Sequence, residues 1–79
     1  MYFSKEFKNP DLGKRAKQMQ AAIMRFLKKA GMKVDDIDSI IHILTIWGAI
    51  TSGAREDIET SFGYIIIWCD HFAIEGLEF

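Results

Sequence analysis

One cysteine, one proline and two histidines in 79 residues leave few ways to staple so short a chain. A lone Cys69 cannot close an internal disulfide, and no cluster of His and Cys has zinc-ligand spacing. Close packing or assembly with further copies must supply the stability instead. The chain also lacks a glycine-rich phosphate loop, a nucleophile elbow and a zinc-protease pattern. We therefore expect a protein that is not an enzyme and uses no cofactor and no metal. A long apolar run is missing too. The longest stretch without charge, Ser39 to Ala54, includes His42, Thr45, Gly48, Thr51, Ser52 and Gly53, whereas a membrane span needs roughly 20 apolar residues. The start, MYFSKEFK, carries charges where a signal peptide has its apolar core. No membrane contact is expected. A free thiol fits the reducing cytoplasm.

Cations are nearly absent from the second half. Met1 to Lys33 holds nine Lys and Arg against two acidic residues, while Val34 to Phe79 holds Arg55 against nine. The near-neutral total conceals two opposite poles. They can pair with each other, within or between chains, or the basic half can face an anionic ligand.

The apolar residues recur at helical spacing. Asn9-Pro10 is a helix-start signal, and Leu12, Ala16, Met19, Ile23, Phe26, Leu27 and Ala30 then follow at three- and four-residue steps. Gly31 is a natural terminator. A second helix is expected over about 36–51. It is apolar on two faces, Ile37, Ile40, Ile41, Leu44 and Trp47 on one, Ile43, Ile46 and Ile50 on the other. A third is expected over 54–74, opened by the acidic turn Glu56-Asp57 with Glu59 behind, with Ala54, Ile58, Ser61, Phe62, Ile65, Trp68, Cys69 and Phe72 as its stripe. Residues 1–8 would form an arm, and Leu77 and Phe79 would pack back or fray. The expected fold is thus all-α, a single three-helix domain. Its surplus apolar surface points to a homo-oligomer, with Ile43, Ile46, Ile50, Trp47, Trp68 and Phe72 as interface candidates. A mixture of helix and strand stays open, because IIHIL and YIIIWC are β-branched and aromatic.

Candidate chemistry is sparse. His42 and His71 read as surface or interface histidines, Cys69 as a small buried hydrophobe, and the carboxylate clusters as helix caps. The basic helix can offer Lys14, Arg15, Lys17, Arg25, Lys28, Lys29 and Lys33 to an anion, with Lys14, Arg25 and Lys28 as the first candidates and Tyr2 or Tyr64 stacking on a base; the plainer reading is a solvated face pairing with the acidic half. Duplex DNA is disfavoured, since a third helix entering a groove would lead with Glu56, Asp57 and Glu59. Arg55 stands apart as the lone cation of its half. At a helix start it would suit a phosphate, and the plainer reading is an ion pair with a neighbouring chain.

The stretch AREDIETSF resembles the opening of the last helix in the phage anti-CBASS proteins that sequester cyclic nucleotides. Ala54, Arg55, Ile58, Glu59 and Phe62 fit that pattern. Ser61 stands where the family has glycine, and the family's N-terminal aromatic-basic motif has no counterpart. The resemblance implies a compact all-helical oligomer and gives Arg55 a contact to ligand phosphates. Together these features suggest a phage or mobile-element inhibitor that sequesters an anionic, cyclic nucleotide messenger. The alternative is an inhibitor or adaptor that blocks a host protein.

Overall fold

The computed structural model describes residues 2–60 and 63–76. Strand β1 (Tyr2–Glu6) leads into helices α1 (Leu12–Lys29), α2 (Val34–Ile43) and α3 (Ile46–Ser52). Strands β2 (Glu56–Thr60), β3 (Gly63–Ile67) and β4 (His71–Glu75) follow. The strands form one antiparallel sheet in the order β1-β4-β3-β2. The helices pack on one of its faces. This is an α+β fold, and it overturns the all-α expectation.

α1 matches the expected helix with its start shifted. The cap is Asp11, whose side chain accepts a hydrogen bond from Lys14 N–H at 2.9 Å, and Asn9 Oδ1 in turn accepts from Asp11 N–H at 2.9 Å. At the other end Gly31 takes a φ of 95°. Its N–H donates to Lys28 O, and Met32 N–H donates to Leu27 O, both at 3.1 Å. This is the reversal that closes helices through a left-handed residue, with the two flanking apolar side chains, Leu27 and Met32, buried in one cluster.

The expected second helix is two helices. Leu44 is extended, with ψ 132°, and Thr45 leaves the helical region. The break explains the two-faced apolar pattern. A continuous helix would point Ile46 and Ile50 away from Ile37 and Ile40. After the bend all four are buried in the same core. Ile46 and Ile50 are therefore core residues of one chain, not free interface positions. Ile43 and Trp47 remain more than half exposed, at 54% and 56%.

The expected third helix is a three-stranded meander. Ile65 and Ile67 of β3 and Phe72 and Ile74 of β4 face the helices, and all four are essentially fully buried. Ile66 and Ala73, on the opposite face, are buried as well. The run GYIII is therefore apolar on both sides, and the two-residue alternation of a strand is hidden. Glu56, Asp57 and Glu59 are not a helical first turn but part of an edge strand. Phe72 too belongs to the core. Ser61, Phe62, Leu77 and Phe79 lie outside the described residues.

The arm at the start of the chain is an edge strand fastened by aromatic rings. Phe3 stacks on Phe26 of α1, with centroids 4.5 Å apart, and lies 5.8 Å from Phe72; Phe7 stacks on Phe72 at 6.0 Å.

A Cβ added at Gly31 would meet no atom within 4 Å, so its positive φ alone sets the cost of a side chain there. Gly31→Ala should lower stability by roughly 1–2 kcal/mol, read as a fall in the urea midpoint at unchanged slope.

Candidate functional site

Docking β1 against the sheet leaves an open trough between its inner side and α1. One part, about 640 Å³, runs along Lys5, Lys8, Lys17 and Arg25, with Glu6 as its one carboxylate. A second part, about 440 Å³, continues along Lys5, Arg25 and Lys29 over Phe3 and Phe26. The helix wall comes from a four-residue step: Lys17, Ala21, Arg25 and Lys29 stack along one ridge of α1. A third hollow of about 360 Å³, between α1 and α2, is apolar, with Met24, Val34 and Ile37 in its lining and Arg25, Lys28 and Asp38 beside them. Arg25 thus borders all three.

None of these cations forms an ion pair among the described residues. The ion pairs among the described residues are Arg55 with Asp57 and His71 with Asp70, each within the second half. The trough cations face solvent, and across the two poles, beyond the hydrogen bond from His71, the charge of Arg15 helps to lower the pKa of Asp70. Arg15 is the one guanidinium of α1 turned toward protein. Its Nη1 donates to Asn9 O at 3.2 Å, while its buried Nε has no partner.

On the far face of the sheet the second half builds a separate assembly. Arg55 Nε donates to Asp57 Oδ1 at 2.8 Å, and its guanidinium carbon lies 4.8 Å from the Trp68 ring centre. Trp68 stacks on His71, centroids 4.3 Å apart and planes 15° from parallel. His71 Nδ1 lies 2.7 Å from Asp70 Oδ1. The hydrogen bond that Arg55 donates to Asp57 raises the Arg55 pKa further, so the charge is permanent. The hydrogen bond from His71 holds the Asp70 carboxyl below the usual carboxylate range. Cys69 sits in the β3–β4 turn, half-buried, 3.9 Å from Asp70 Oδ1.

The structure therefore divides the ligand residues expected from the sequence. Arg25 lines the trough, Lys28 lines the hollow beside it, and Lys14 is exposed on α1. Tyr2 and Tyr64 lie elsewhere, on either side of Glu75 in one cross-strand row of the open face. Arg55 does not stand at a helix start, so no helix dipole assists it. Its ion pair lies within its own chain, not between chains. The helix that the anti-CBASS resemblance implied at Ala54 is replaced by β2 and the residues before it. Lys17 and Lys29, expected among the anion-facing residues of the basic helix, line the trough, whereas Lys5 and Lys8 were missed as site residues. Lys17 and Lys29 share the four-residue spacing of Arg25, and Lys5 and Lys8 join them only through the strand pairing of β1. Among the described residues no three of His, Cys, Asp and Glu gather as a metal-binding group, and no helix is long and apolar enough to cross a membrane. Comparison with protein-family models, curated proteins and solved structures finds no match.

A depressed Asp70 pKa adds stability above the ordinary carboxylate range, and that contribution fades as acid protonates Asp70. In His71→Ala the Asp70 titration followed by carbon-detected NMR should move up toward ordinary carboxylate values.

Proposed function

We propose that the protein is a non-catalytic binding protein that sequesters an anionic nucleotide in the trough between β1 and α1. It acts as an inhibitor of the mobile-element type in the cytoplasm. The observation that carries this reading is the row Lys5, Lys8, Lys17, Arg25 and Lys29, unpaired among the described residues and set against the single carboxylate of Glu6. Phosphate groups are the ligands such a row favours, with Arg25 able to take two oxygens at once. The trough volume falls in the range of small-molecule sites, and Phe3 and Phe26 give its floor an apolar, aromatic surface for a base. The role expected of Arg55 passes to Arg25 in this reading.

A second reading is supported by one further feature. β1 is an edge strand, and a free edge beside a basic groove suits an acidic extended segment of a host protein added as a further strand.

Isothermal titration separates the two. Cyclic di- and trinucleotides should bind, with affinity falling as salt rises. Arg25→Glu and Lys17→Glu should each weaken binding at least about tenfold without changing the far-ultraviolet circular dichroism. Heat with an Asp/Glu-rich peptide and none with any nucleotide would select the protein-binding reading. Silence with both sinks the assignment of the trough.

A further inference from the structure

The sheet ends in two open edges, β1 on one side and β2 on the other. Main-chain bonding settles which groups each edge leaves free. Phe7 N–H donates to Asp70 O at 2.7 Å. In an antiparallel ladder alternate residues bond to the same neighbour, so Phe3 and Lys5 bond to β4, and Tyr2, Ser4 and Glu6 turn their N–H and C=O outward. Trp68 N–H donates to His71 O at 2.8 Å. By the same alternation Tyr64 and Ile66 bond to β4, while Ile65 and Ile67 bond to Ile58 and Glu56 of β2. Asp57 and Glu59 are then the outward residues of β2, with Arg55 at the same parity just before it.

The strand registers place the two edges in common rows. Phe3, Ile74, Ile65 and Ile58 make one row, and Lys5, Phe72, Ile67 and Glu56 the next. Three successive antiparallel pairings leave β1 antiparallel to β2. A second copy that continues these rows brings its β2 antiparallel onto β1 of the first. Lys5 then faces Glu56 of the next copy, Glu6 faces Arg55, Phe3 faces Ile58, and the Ser4 hydroxyl faces Asp57. The outward backbone groups of Tyr2, Ser4 and Glu6 meet those of Glu59, Asp57 and Arg55. Slipping two residues one way sets Glu6 against Asp57. Slipping two the other way sets Phe3 against Glu56 and removes both ion pairs. Pairing β2 with β2 would gather carboxylates on carboxylates, and pairing β1 with β1 leaves the acidic edge unanswered.

We propose that copies of this chain associate head to tail, β1 of one against β2 of the next, in the register that sets Lys5 opposite Glu56 and Glu6 opposite Arg55. The contact uses different surfaces on its two sides, so it builds a ring where the rotation closes and a filament where it does not. It does not rest on the reading of the trough, and its test contains no ligand.

The test is analytical ultracentrifugation of the full chain over a range of concentrations, with native mass spectrometry for subunit count. The wild type should populate species beyond the monomer. Lys5→Glu and Glu56→Lys should each raise the dissociation constant about tenfold or more, because each turns an opposite-charge pair into a like-charge pair. Mixing the two variants one to one, or combining both changes in one chain, should restore association. Ser4→Pro removes an outward N–H while keeping the β4 bonds of Phe3 and Lys5. It should abolish association with circular dichroism unchanged. A monomer at every concentration overturns the proposal. So does association that neither charge reversal weakens, or a loss that mixing fails to repair.

Discussion

Phe72 is the residue on which the architecture closes. It is fully buried in β4, with Phe3 and Phe7 of β1 within 6.0 Å by ring centre, and Phe3 continues the contact to Phe26 of α1. This aromatic chain joins the first strand to the last and ties both to the long helix. A single two-stranded ribbon would not hold in water; a covered sheet does. With β1 in place, its inner side and α1 become the walls of the trough, and its outer side becomes a sheet edge. Without Phe72 neither surface would exist, although no atom of it lies in either.

The uneven charge of the chain takes its meaning from that closure. Basic residues from Lys5 to Lys33 and acidic residues from Asp35 onward do not fold onto each other as an internal clasp. The cations gather along α1 and β1, while the carboxylates spread over α2, the β2 edge and the β4 strand with its preceding turn. The unpaired cations leave a positive field along α1 and β1, and Glu56, Asp57 and Glu59 leave a negative one at the far margin of the sheet. Arg55 is the exception, held by Asp57 and Trp68 at the start of the acidic edge.

How far the sequence carried the fold depended on whether each element buried one face or two. α1 buries one, Met19, Ile23 and Leu27 among its members, and its spacing was readable. Its cap was misplaced by two residues because Asn9 and Asp11 are equally good acceptors and both are used. α2 and α3 were read as one helix, since nothing in Leu44-Thr45 breaks a helix by residue type; the bend comes from the core's demand for Ile46 and Ile50. The strands were read as helix for two reasons. Ile65, Ile66 and Ile67 are all buried, which erased the alternation, and Glu56-Asp57-Glu59 imitated an acidic first turn. The open alternative of a helix and strand mixture held the correct half of the answer: YIIIWC contains most of β3, while IIHIL is helical up to Ile43. Of the site, Arg25 and the basic helix were legible locally. Lys5 and Lys8 were not, because only pairing with β4, far away in the chain, brings them to α1.

That distance also orders events in time. The helices close through neighbours in sequence, and β2, β3 and β4 fold back on one another through short turns. The union of β1 with β4 joins the two ends of the described chain, and contacts so remote are the slow ones to form. Among the described strands β1 must therefore find the most remote partner. Until it does, one margin of β4 stands bare beside Phe72, and an unpaired apolar strand is the kind of surface on which half-folded chains stick together. The contact of β1 with β4 thus guards the fold twice, as its closure and as the cover over that margin.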